Sequence, residues 1–64
     1  MTNYLMSYAH EATSKAYWNI RYARIYLEQV CSDTQDTDAC SLAEDLTLLE
    51  RRLQELVEKF HQRI

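Results

Sequence analysis

Three basic residues in the first half of the chain stand among aromatic residues, a combination that can contact nucleic acid. Lys15, Arg21 and Arg24 are interleaved with tyrosine and tryptophan. Basic side chains pair with phosphates, and aromatic rings stack on nucleobases. Glu11 and Glu28 neutralise part of this region, however, and the whole chain carries a net charge of −3. A mixed, solvated helix face is therefore the preferred interpretation, and RNA or DNA contact is the alternative.

Two cysteines, Cys31 and Cys40, bracket a polar segment in the middle of the chain. Residues 1–6 contain no basic segment followed by an apolar core, so no secretion signal is visible and the cytoplasm is the expected compartment. Thiols are kept reduced there. We therefore expect two half-buried thiols, with a disulfide that clamps the segment as the alternative.

No arrangement of side chains predicts catalysis or a bound cofactor. His10 and His61 fall near the same end of the predicted structure, close to Glu58, and are interpreted as solvated side chains rather than metal ligands. No nucleophile is spaced to pair with a base. The chain has no glycine, which excludes glycine-rich phosphate loops. The sequence thus predicts a non-enzymatic protein without metal or cofactor.

Two long helices must position these residues. Apolar side chains of the second half recur at alternating spacings of four and three, at Leu42, Leu46, Leu49, Leu53, Leu56 and Phe60. The same spacings connect Leu5, Ala9, Ala12, Ala16, Asn19, Ala23, Tyr26 and Val30. Heptad spacing of this kind marks one face of a helix. We predict a single domain over residues 1–64, with a helix at about 3–31, a turn at 32–38 and a second helix at about 38–63. Thr37 or Asp38 is expected to cap the N-terminus of the second helix.

The predicted fold is an all-α, antiparallel two-helix hairpin that dimerises into a four-helix bundle. Small residues of the first helix are expected opposite large residues of the second, which lets the two backbones approach closely. A chain of 64 residues buries only about 60% of its unfolded surface and needs additional burial. No apolar run is long enough to span a membrane, so no membrane partner is expected.

Aromatic side chains form a second stripe on the first helix, and one partner helix cannot cover both stripes. We predict that this stripe contacts a second chain, either in a homodimer or in a complex with an unidentified partner protein. The alternative is that the tyrosines flank the core with their hydroxyl groups in water. The predicted interface residues are Tyr4, Tyr8, Trp18, Tyr22, Ile25 and Tyr26.

Alternating small and large layers give the chain a resemblance to the Rop family of plasmid-encoded proteins. The residues that carry it are Ala9, Ala12, Ala16 and Ala23 opposite Leu49, Leu53, Leu56 and Phe60. The acidic turn followed by Asp38-Ala39-Cys40 also resembles the Rop link. This resemblance implies two hairpins in a four-helix bundle that binds paired RNA loops. An RNA-binding function would need Lys15, Arg21 and Arg24 on one face of the dimer.

Two further resemblances concern the type of protein. The segment Leu46-Thr47-Leu48-Leu49-Glu50 is similar to the second helix of the hairpin co-chaperones of type III secretion needles. Size, acidity and an aromatic first helix resemble the short helical proteins of lambdoid phage early regions. The preferred prediction is a phage accessory protein of the host cytoplasm, a regulatory interaction factor that modulates host or phage development as a homodimeric bundle.

Overall fold

A computed structural model describes residues 2–64, with side chains from Tyr4 onward, and Met1 of the predicted 1–64 domain lies outside the described residues. The chain forms two α-helices, α1 (Thr2–Thr34) and α2 (Thr37–His61), which run antiparallel in a hairpin 49 Å long and about 14 Å across. No strand occurs among the described residues. The predicted all-α helical hairpin is confirmed.

The link between the helices is only Gln35 and Asp36, much shorter than the predicted turn at 32–38. The first helix continues because the Gln35 amide donates to the Cys31 carbonyl at 2.9 Å. Gln35 then takes a left-handed conformation with φ of 57°, which ends the helix. Asp36 caps α2 by accepting a hydrogen bond from the Ala39 amide at 2.9 Å, so the predicted caps Thr37 and Asp38 are wrong.

The helices face each other through positions that differ by one residue from much of the predicted seam. The half-buried residues of α1 that repeat with this spacing are Met6, His10, Thr13, Tyr17, Ile20, Arg24, Leu27 and Cys31. Ala9 and Ala16 of the predicted seam are half-buried beside them, as are Ser14, Arg21 and Ile25. Buried and half-buried residues of α2 recur at Ala39, Ala43, Leu46, Glu50, Leu53, Val57 and Phe60. Leu46, Leu53 and Phe60 therefore face α1 as predicted. Leu42, Leu49 and Leu56 do not, and they remain 40–47% exposed.

The core of the single hairpin is thin. Ala39 and Ala43 are the buried apolar residues, and no large side chain of the described chain is fully buried. Most large apolar residues thus keep part of their surface in water, because each helix of the hairpin covers only one side of the other helix. The missing burial is the main structural fact that the function must explain.

Two contacts fix the register of the helices. Cys31 and Cys40 form a disulfide across the link, with their Cα atoms 4.7 Å apart. Farther along, the Arg24 Nε atom donates to Glu50 Oε1 at 3.0 Å, and both side chains are less than 20% exposed. The prediction of two reduced thiols is wrong in this structure. It rests on compartment alone, whereas the two-residue link places both sulfurs on the facing side of the hairpin within bonding range.

Candidate interaction surfaces

An aromatic stripe on α1 is the first candidate surface. Its four members that point away from α2 are Tyr4, Tyr8, Trp18 and Tyr22, which are 51–69% exposed. Helical periodicity groups Tyr4 with Tyr8 and Trp18 with Tyr22, one turn apart in each pair. Of the other two predicted interface residues, Ile25 is half-buried, and Tyr26, 64% exposed, lies one turn after Tyr22, at the border between this stripe and the second surface described below. We use "aromatic stripe" for the four outward residues.

Neighbouring side chains hold the rings of the stripe in place. The Tyr4 and Tyr8 rings meet edge to face with centroids 5.1 Å apart. Hydrogen bonding with Tyr4 raises the pKa of Tyr8 above its ordinary value of 10, and desolvation and the Glu11 carboxylate act in the same direction. The Arg21 guanidinium lies 5.4 Å from the centroid of the Trp18 ring. The stripe is thus a partly ordered surface before any partner binds.

A second apolar surface lies on one side of the hairpin and crosses both helices. On α2 it contains the three leucines of the predicted seam that do not face α1. The α1 part occupies the positions one residue before those that face α2. We call this surface the alanine–leucine flank: Leu5, Ala9, Ala12, Ala16, Asn19, Ala23, Tyr26 and Val30 with Leu42, Leu49 and Leu56, and with the charged α2 residues Asp38, Asp45, Arg52 and Lys59 that alternate with these leucines.

Antiparallel geometry explains why both rows lie on the same side. Each α-helix is right-handed, and reversing the direction of one helix reverses its sense of rotation as seen from a fixed end. Residues that immediately precede the facing positions therefore turn to the same side on both helices. The Cys31–Cys40 and Arg24–Glu50 contacts also set the levels, so Ala23 is about level with Leu49 and Val30 with Leu42.

Charge on the flank is confined to α2. The α1 row contains no charged residue between Leu5 and Val30. On α2, a charged residue lies three positions after each flank leucine, and another lies four positions before the first of these leucines. A shallow surface depression opens between Arg52, Glu55, Leu56 and Lys59. The four charged residues that alternate with the leucines change from acidic near the link to basic near the open end, in the order Asp38, Asp45, Arg52 and Lys59. Glu55 lies beside them at the rim of the depression.

The basic residues proposed as nucleic-acid contacts are engaged within the hairpin. Lys15 pairs with Glu11 at 3.2 Å. Arg24 contacts Glu50 and Glu28, and these carboxylates, Glu50 above all, raise the pKa of Arg24. Arg21 donates to the Tyr17 hydroxyl group at 3.1 Å as well as lying over Trp18. Phosphate binding would compete with these contacts, so the arrangement does not favour RNA or DNA.

At the open end, the rings of His10 and His61 lie 5.3 Å apart. The sequence expectation that the two histidines share one end of the hairpin is confirmed. Among the residues that the structure describes, no group of three metal-ligating side chains comes together.

In the same part of the chain, neither helix has a stretch long and apolar enough to cross a bilayer.

Comparisons with protein families, curated proteins and solved structures find no match for this chain. The resemblances to Rop, to needle co-chaperones and to phage early proteins therefore stay predictions. The features of the molecule that bear on its function are the two exposed surfaces and the thin core of the hairpin.

Proposed function

We propose that the protein is a non-enzymatic interaction factor that works as a homodimeric helical bundle and regulates a partner protein, in the manner of a phage accessory protein that modulates host or phage development. The observation that carries this proposal is the thin core. From Tyr4 to Ile64, where the structure describes side chains, only two alanines are buried, while aromatic and leucine side chains stay exposed on two sides of the hairpin. Contiguous apolar surface of this extent on a small protein is typical of interaction sites.

The aromatic stripe is the surface that we assign to the partner protein. Tyrosine and tryptophan are enriched at protein interfaces because they combine a large apolar area with a polar edge. The one-turn spacing of Tyr4 with Tyr8 and of Trp18 with Tyr22 is suited to a helix that lies in an apolar groove. The partner is thus a protein that offers such a groove, and Arg21 beside Trp18 would favour acidic residues at its rim.

Light scattering and affinity capture test this proposal. At about 100 μM chain, the mass should be that of a dimer, and a strictly monomeric mass would contradict the bundle. Intact protein should capture a specific host protein that the Trp18→Ala/Tyr22→Ala variant does not retain. Leu48→Ala is the matched control, because Leu48 is 60% exposed on α2 and lies outside both surfaces. Equal capture by all three proteins would refute the assignment of the stripe.

The proposal includes the compartment of the protein, which the oxidation state of the two cysteines can test. We place the protein in the cytoplasm, where stable disulfides are rare. The Cys31–Cys40 bridge would then be open in the cell. Alkylation of free thiols in a freshly quenched extract, followed by mass spectrometry of the intact chain, tests this. An unmodified, fully oxidised chain would contradict the cytoplasmic location.

A further inference from the structure

We infer that a second copy of the chain covers the alanine–leucine flank, with the two links at opposite ends of the bundle and a two-fold axis at Leu49. The inference rests on the homodimer of the proposed function. It adds which face of the hairpin forms the dimer contact and in which direction the second hairpin runs. It also separates the dimer contact from the aromatic stripe, which remains on the outside.

The flank suits another hairpin because it extends over two helices. The aromatic stripe lies on α1 alone and can accept only one helix at a time. With the axis at Leu49, the two copies overlap along about 36 Å of helix, at ~1.5 Å per residue. A face two helices wide is about 20 Å across, so each copy would cover roughly 700 Å². That is close to the ~800 Å² per partner of a stable protein complex.

Charge complementarity on α2 selects the direction and the register. When two copies of α2 run antiparallel about Leu49, Leu42 of one copy lies level with Leu56 of the other. The same register places Asp45 near the second copy's Arg52 and Asp38 near its Lys59. Every acid of the flank thus meets a base, and every leucine meets a leucine. A shift by one heptad would set Arg52 against Arg52 and Leu42 against Arg63.

The α1 rows are compatible with this arrangement because they carry no charge. About the same axis Ala23 meets Ala23, and Ala16 meets Val30, so the α1 backbones can approach closely. The opposite arrangement, with both links at one end, would place α2 of one copy on α1 of the other. The four charged flank residues of α2 would then face the uncharged α1 row and have no residue of opposite charge beside them. This favours links at opposite ends.

Sedimentation of two aspartate variants tests the face. Leu49→Asp places a charge at the axis, twice per dimer, and should raise the dimer dissociation constant more than a hundredfold. Leu48→Asp makes the same change one residue away, outside the flank, and should leave the constant within threefold of wild type. Circular dichroism of both variants checks that the helices are retained. Equal effects of the two variants would overturn the inference.

A charge exchange tests the direction. Asp45→Arg should weaken the dimer about tenfold, because it faces the second copy's Arg52, and Asp45→Arg/Arg52→Asp should restore wild-type affinity. Glu44→Arg changes the net charge equally but lies on the opposite side of α2, so it should have no effect. A dimer that is indifferent to Asp45→Arg, or that the double variant does not restore, would overturn the antiparallel register.

The two proposals fail in different ways. If wild type is monomeric at about 100 μM, the homodimer and the inference both fail. If wild type is dimeric but Trp18→Ala/Tyr22→Ala dissociates it while Leu49→Asp does not, the homodimer stands and the inferred face is wrong. If Leu49→Asp alone dissociates it, both stand and the stripe remains available to the partner protein.

Discussion

Removing the disulfide should cost the hairpin a large part of its stability. Cys31 and Cys40 are nine residues apart in the sequence, and the bridge closes the loop between them. The loop-closure entropy for that length predicts a loss of about 2.6 kcal/mol in the free energy of unfolding for Cys31→Ser/Cys40→Ser. A domain of 64 residues with one small core has only ~3–5 kcal/mol in total. At least half of its stability should therefore depend on this bond.

Urea unfolding followed by circular dichroism measures the change. Wild type and variant must be compared at one chain concentration, since dimerisation adds to the apparent stability. Reduced wild type should unfold at nearly the same urea concentration as the double serine variant. Ser32→Ala/Ser41→Ala, which alters exposed neighbours of the cysteines, is the control and should keep the wild-type midpoint. If the double serine variant also keeps that midpoint, the two-residue link alone closes the hairpin and the entropy argument is refuted.

Three other predictions concern single contacts. Glu50→Ala leaves Arg24 without its cross-helix partner and should lower the free energy of unfolding, whereas Arg24→Leu/Glu50→Leu should recover most of the loss in the same urea assay. Gln35→Gly relieves the left-handed backbone and should stabilise the hairpin by about 0.5–1 kcal/mol, and a lower urea midpoint would contradict this reasoning. Tyr4→Phe should lower the pKa of Tyr8 in an ultraviolet absorbance titration. Because the folded pKa is raised, the contribution of the Tyr4 contact is complete below the unfolded pKa of about 10 and is lost as pH rises through the folded pKa.

The helices and their pairing could be predicted from the sequence because the alternating spacing of four and three persists through both halves. The exact facing residues could not. Two adjacent seams carry apolar or small residues, and apolarity alone does not distinguish the seam that faces the partner helix from the seam beside it. Thr13, Arg24 and Glu50 lie on the facing side although they are polar, and Arg24 with Glu50 does so as an ion pair.

The short link could not be predicted for a local reason. Ser32, Asp33 and Thr34 are typical of turns, but the Thr34 hydroxyl group donates to the Val30 carbonyl at 2.7 Å and the helix continues. The disulfide could not be predicted, because the sequence indicates a reducing compartment in which the two thiols stay unpaired. One signal in the sequence does indicate the flank: the α1 residues of the flank carry no charge, beside an α2 row ordered from acidic to basic.

The distance between the two links of the dimer tests the central claim most directly. A spin label carried by an unnatural amino acid at Thr37, which is exposed at the start of α2, leaves the cysteines untouched. A two-fold axis at Leu49 predicts that the two labels lie about 36 Å apart along the bundle, from twelve residues of helix on each side at ~1.5 Å per residue. Pulsed electron resonance should show a distribution centred near that separation. A distance below about 20 Å, the width of two helices, would place both links at one end, and no intermolecular distance would mean that the hairpin stays a monomer.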